Sequence, residues 1–181
     1  MIFRKFYRAY YHIFVRRRHP LKYAKKVGVN MAGRVYIYGK IAWGSEPWII
    51  SIGDNVHLTD GIKFITHDGG TLLYRDVVPD LEITKPITIG NNVYIGNNVL
   101  LMPGVNIGSN VVIGAGAVVT RDIPDNSVAV GVPARVIKTA DEYLEKLKID
   151  SLHLGHLKGQ EKDKALMKHF GYTGDSKGLY F

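Results

Sequence analysis

The chain has 181 residues, 46% of them hydrophobic, no cysteine and a formal charge of +8. That is the profile of one domain with a short appendage, and it excludes disulfides and thiolate catalysis; a cysteine-free chain also fits the cytoplasm. The charge is local: residues 1–26 hold nine Lys or Arg and no acidic residue, while the remainder holds fifteen basic and sixteen acidic residues. A high pI of this origin does not point to nucleic acid.

The first segment is basic and aromatic. In residues 2–18, IFRKFYRAYYHIFVRRR, the residues Ile2, Phe3, Phe6, Tyr10, Ile13 and Phe14 share one face at helical spacing. Two readings stay open. The helix packs on the open end of the following domain, or residues 1–18 dock on an anionic membrane surface, making the protein peripheral at the inner membrane. No run of eighteen apolar residues is present, so no spanning helix is expected. The segment also lacks the apolar core of a secretory signal. His19-Pro20 is expected to end it, within a basic amphipathic helical segment covering 1–26.

A period of six then begins. Val29, Val35 and Ile41 are six apart, Trp43, Pro47 and Trp48 interrupt, and Ile52, Leu58 and Phe64 resume with Val56 and Ile62 between them. The tryptophans suit core or corner packing, with a sugar-stacking platform as the alternative. From Ile52 to Ile89 is 37 residues, one more than six hexads, so the phase breaks, and the insertion is expected over 67–86. From Ile89 the hexads are regular. First positions are Ile89, Ile95, Leu101, Ile107, Ile113 and Val119; fifth positions are Val93, Val99, Val105, Val111, Ala117 and Ile123; Gly90, Gly96, Gly108 and Gly114 follow the first positions. A six-residue period is neither helix nor amphipathic strand. It fits a solenoid of short strands joined by tight corners, with an aliphatic residue of each hexad inward and Gly or Asn at corners for positive φ. Three hexads per coil give coils about 4.8 Å apart. The chain is expected to leave the solenoid after Pro124, with helices over 140–149 and 160–170 in a C-terminal extension covering 139–181.

The stretch ITIGNNVYIGNNVLLMPGVNIGSNVVIGAGAVVTRDIPDNSVAVGVPARVIK resembles the hexapeptide-repeat acyltransferases, most of all the galactoside, maltose and capsular or O-antigen polysaccharide O-acetyltransferases. The resemblance covers about Ile87 to Lys138 well and reaches loosely back to Ile50. It implies an all-β solenoid over 27–138, a left-handed parallel β-helix with helices at both ends and one extended loop. It also implies a homotrimer with sites between subunits, acetyl-CoA as co-substrate and no metal. The acceptor would be a sugar or lipid-linked saccharide.

Residue roles follow from the same likeness. Thr66-His67-Asp68 and Pro86-Ile87-Thr88-Ile89-Gly90 match the motifs flanking the family's insertion, which makes His67 the general base; Asp68 either orients the imidazole or caps the loop. Asn97, after Gly96, would donate its backbone N–H to the oxyanion and touch the coenzyme. Ala115, Thr120 and Arg121 would line the coenzyme groove, with Arg135 and Lys138 at the nucleotide phosphates. The coil preceding His67 lacks the acceptor-binding Asn of the galactoside and maltose enzymes and carries Tyr38-Gly39-Lys40 there. The acceptor therefore stays open, including an amino sugar or an antibiotic hydroxyl. A zinc hydratase would need a third imidazole beside His57 and His67, and a non-catalytic scaffold would need no imidazole at all.

Overall fold

A computed structural model describes residues 15–172. The amphipathic helix expected over 2–18 lies outside them except for its end. That end is a helical turn, Arg16–Arg18, with Val15 buried before it. His19-Pro20 ends that first helical piece, as expected, but helix resumes at once. The chain breaks at His19, and a second helix, α1 (Pro20–Val27), starts there. Proline suits the first helical position because the N–H it lacks has no partner there anyway. Gly28, at φ +107°, closes α1 by donating to the carbonyls of Ala24 and Lys25.

Among the described residues thirteen strands follow, in three sheets that are parallel except for the last strand. The first sheet is β1 (Asn30–Met31), β3 (Ile50–Ile52), β6 (Ile87–Ile89) and β9 (Asn106–Ile107). The second is β2 (Val35–Ile37), β4 (Val56–Leu58), β7 (Val93–Ile95), β10 (Val111–Ile113), β12 (Ser127–Val130) and β13 (Arg135–Thr139). The third is β5 (Lys63–Phe64), β8 (Leu100–Leu101) and β11 (Val118–Val119). Register gives the repeat directly: Val93 pairs with Val111, Thr88 with Asn106 and Leu100 with Val118, each eighteen residues on. All the first- and fifth-position residues from Ile89 to Ile123 are buried, in one core running the length of the stack.

The coils are not all eighteen residues long. The first has twenty-one, since Val35 pairs with Val56 and Ala42 with Lys63. The second has thirty-seven, since Ile50 pairs with Ile87 and Lys63 with Leu100. Both gains fall between the third sheet and the first: three residues between Ala42 and Ser51, and nineteen between Phe64 and Ile87. The last coil has sixteen, because Ile107 pairs with Ile123. The sixth hexad is therefore cut by two residues, and Ile123 stands where a first-position residue would. Nor does the chain leave after Pro124. β12 adds one more parallel strand to the second sheet, and β13 returns antiparallel to it through the turn at 131–134.

The second-position glycines serve a different purpose from the one expected. Their φ is not positive; coil-to-coil approach demands them, since a Cβ on Gly96 would stand 2.5 Å from the backbone nitrogen of Ala115. Positive φ belongs to other corner residues, asparagines such as Asn55, Asn92 and Asn110 and glycines such as Gly61, Gly104 and Gly116. The asparagine amides bond corner to corner, Asn55 Nδ2 to Asn92 Oδ1 at 3.0 Å and Asn92 Nδ2 to Asn110 Oδ1 at 3.1 Å.

Two compact units divide at Glu142 and Tyr143. The first closes with Thr139 capping α2 (Ala140–Asp150): Glu142 accepts from the Thr139 N–H at 2.7 Å and donates its own N–H to Thr139 Oγ1 at 3.1 Å. The second contains the remainder of α2 and α3 (Gly159–His169).

Candidate active site

Both excursions leave the stack at the same corner. Counting by the first coil's twenty-one residues, Trp43 stands one coil below Phe64, Ser45 below Thr66 and Glu46 below His67. The register is visible in contacts: the rings of Trp43 and Phe64 stack at 5.0 Å. Glu46 Oε2 accepts from the buried Thr66 hydroxyl at 2.5 Å and lies 3.0 Å from His67 Nδ1. The Thr66 hydroxyl, and after it the imidazole, hold the Glu46 carboxyl below its ordinary value despite partial burial. An ionised carboxylate accepts hydrogen bonds only, so Nδ1 carries a proton, and in the neutral imidazole the lone pair is on Nε2. The imidazole is 40% exposed, enough to meet a ligand.

The loop holds His67 in place from the other side. His67 bridges antiparallel to Thr84, Asp68 N–H donates to Ile83 O at 2.9 Å and Lys85 N–H to Thr66 O at 2.9 Å. Asp68 takes the loop-capping role: its carboxylate accepts from Gly70 N–H at 2.9 Å as the turn Gly69–Tyr74 begins. The imidazole's carboxylate partner is Glu46, which the sequence reading missed. Its signal was the spacing from Ile41 to Ile50, nine where hexads give six. A cleft of about 220 Å³ opens beside His67, lined by Ile65, Asp68, Gly69, Met102 and Pro103.

The other expected residues divide between two corners. Thr120 and Arg121, both exposed, follow β11 as Met102 and Pro103 follow β8, so they belong to the His67 corner. Asn97 and Ala115 belong to the corner between the second and third sheets, and Arg135 starts β13 opposite Val130, whose strand ends toward that corner. Lys138 is farther along β13, opposite Val128. Asn97 is the coil equivalent of Asp60, six residues before Thr66. One whole face, up to about 20 Å of extended chain, therefore separates Asn97 from His67 within one copy.

Asn97 ends a ladder. Lys40 N–H donates to Asp60 Oδ1 at 2.6 Å, and Asp60 N–H to Asn97 Oδ1 at 3.1 Å. The next rung is Ala115, which has no side-chain acceptor, and the Asn97 N–H has no partner among the described residues. An outward N–H without an acceptor is what a developing oxyanion needs.

His57 is elsewhere. It stacks on Tyr36 at 4.6 Å and Tyr38 at 5.8 Å from the neighbouring coil, with Nδ1 2.8 Å from the Tyr38 hydroxyl. Among the described residues no group of three His, Cys, Asp or Glu could hold a metal ion. Trp43 is core, as expected, but Trp48 is not: it is 64% exposed.

Residues 86–121 match the model of bacterial transferase hexapeptide repeats. Protein CapG from Staphylococcus aureus is 42% identical over 148 residues, 81% of this chain and 86% of that protein. The chain belongs to the hexapeptide-repeat transferases. Within that family, the galactoside O-acetyltransferase of Escherichia coli (strain K12) is 41% identical over 112 residues, 59% of this chain but only 54% of the relative. A galactoside acetyltransferase solved in complex with coenzyme A superposes with a TM-score of 0.54 at 33% identity, covering 69% of this chain and 72% of that one. Among the described residues no helix is long and apolar enough to cross a membrane.

Proposed function

We propose that this hexapeptide-repeat transferase moves an acetyl group from acetyl-CoA to a saccharide hydroxyl, with His67 as general base. The observation that carries the reading is the Glu46–His67 pair, which leaves Nε2 free to accept a proton beside an open cleft. The hydroxyl gives its proton to Nε2 as its oxygen attacks the thioester carbonyl. The oxyanion takes a hydrogen bond from the Asn97 N–H. On collapse the C–S bond breaks and the protonated imidazole returns its proton to the departing thiolate. With no cysteine in the chain, transfer is direct, without an acyl-thiol enzyme.

Because a full face separates His67 from Asn97, the site forms between two copies, one giving His67, Thr120 and Arg121, the other Asn97, Ala115 and Arg135. A cyclic trimer of left-handed β-helices supplies three such sites. Arg135 and Lys138, on the terminal hairpin, are cations for the nucleotide phosphates. The resemblance of Ile87 to Lys138 to capsular and O-antigen polysaccharide O-acetyltransferases favours a surface polysaccharide as the acceptor's destination, and a cysteine-free chain fits the cytoplasm. His67→Ala tests the reading: thiol release from acetyl-CoA should fall about 10²–10⁴-fold while calorimetry shows CoA binding retained. Undiminished transfer would refute it.

A further inference from the structure

The first coil's three extra residues do more than deliver Glu46. They raise the turn Pro47–Ile49, which carries Trp48 into solvent, 64% exposed, while Trp43 five residues earlier is buried. Trp48 is backed by the end of α1: a Cβ on Gly28 would stand 3.2 Å from the Trp48 Cβ. Between this ledge and the Arg16–Arg18 turn lies a cleft of about 600 Å³, lined by Arg16, Trp43, Gly44, Ser45, Pro47 and Trp48 among others. Arg16 is anchored, with Nη2 donating to Ile41 O at 2.7 Å and the guanidinium 5.8 Å from the Tyr23 ring. A guanidinium has five N–H donors, so that bond leaves capacity for an anion.

Charge and position narrow the occupant. Arg16 is the one cation among the described residues lining the cleft, and no carboxylate among them lines it. The one carboxylate on the ledge, Glu46, is taken by Thr66 and His67. Ser45, which lines the cleft, stands one coil below Thr66, and its neighbour Glu46 one coil below His67, a strand spacing of about 4.8 Å. An exposed indole offers a flat apolar face to a sugar ring, and an anchored guanidinium selects an oxyanion.

We propose that this cleft is the acceptor subsite and that it takes an anionic saccharide unit, its ring against Trp48 and its carboxylate or phosphate on Arg16. The proposal rests on the acetyltransferase reading. It is tested on the full chain by thiol release from acetyl-CoA with methyl glucoside, methyl glucuronide and glucose 1-phosphate as acceptors. The glucuronide answers for a carboxylate, the phosphate for a phosphoryl group. At least one anionic acceptor should exceed the neutral one about tenfold or more in kcat/KM, the scale of one charge-assisted hydrogen bond. Trp48→Ala and Arg16→Gln should each raise that acceptor's KM about tenfold with the KM for acetyl-CoA unchanged. Trp48→Phe should restore most of the loss, which a folding defect would not allow. Equal use of neutral and anionic sugars, no transfer to any of the three with acetyl-CoA bound, or an unmoved acceptor KM in Trp48→Ala overturns the assignment. If a sugar is acetylated through His67 in those cases, only the cleft assignment falls; if acetyl-CoA does not bind at all, the acetyltransferase reading falls with it.

Discussion

Glu46→Gln isolates the contact that makes His67 a base. The substitution keeps the side chain's size and removes its charge. A hydrogen bond to an ionised acceptor is worth about 1.5–3 kcal/mol, or about 10- to 150-fold. The pair is not sealed from water, with side-chain exposures of 40% for His67 and 24% for Glu46, so the lower part of that range applies, about 10- to 30-fold. The loss should appear in kcat for thiol release, with the KM for acetyl-CoA nearly unchanged. The decisive control is the double variant. With His67 already alanine, Glu46→Gln should cost nothing more, since Glu46 acts only through the imidazole. A loss below twofold in the single variant, or equal losses with and without His67, would refute the reasoning.

Asp68→Ala should leave kcat within about threefold of wild type, because the carboxylate caps Gly70 and does not touch the imidazole; a loss as large as that of Glu46→Gln would reassign the two. The lowered Glu46 carboxyl sets a pH dependence. A carboxylate with a depressed folded value adds stability above its unfolded value and loses it as pH falls through the folded one. The melting-temperature gap between wild type and Glu46→Gln should therefore be full at pH 7 and close only below the ordinary carboxyl value of 4.5. A gap already closed at pH 5 would contradict the assignment. Asn92→Ala should destabilise by about 1–2 kcal/mol, because Ala strains at positive φ and the Asn92 rungs to Asn55 and Asn110 are lost. Asn92→Gly should recover the conformational part in a urea titration.

The solenoid was legible because burial forces the pattern: an inward residue must recur once per face, so Ile89, Ile95 and Leu101 name the core without further help. His67 was legible through its place before the insertion. Glu46 was not, because its partnership exists only across coils, and the coil length of twenty-one is a register, not a motif. The same reason hid the shortened last coil, where Ile123 fits the sequence phase yet pairs with Ile107. Residue type could not choose between core, corner and platform for Trp48; the backbone of the turn Pro47–Ile49 does, by carrying it out of the core.

The most direct test of a site built from two copies is subunit mixing. His67→Ala removes the base, and Asn97→Pro removes the N–H donor, which has no other partner among the described residues. Each variant alone should be nearly inactive. Unfolded together and reassembled at equal ratio, about one interface in four pairs an intact His67 with an intact Asn97, and activity should return to about a quarter of wild type. A mixture no more active than its separate components would contradict the account.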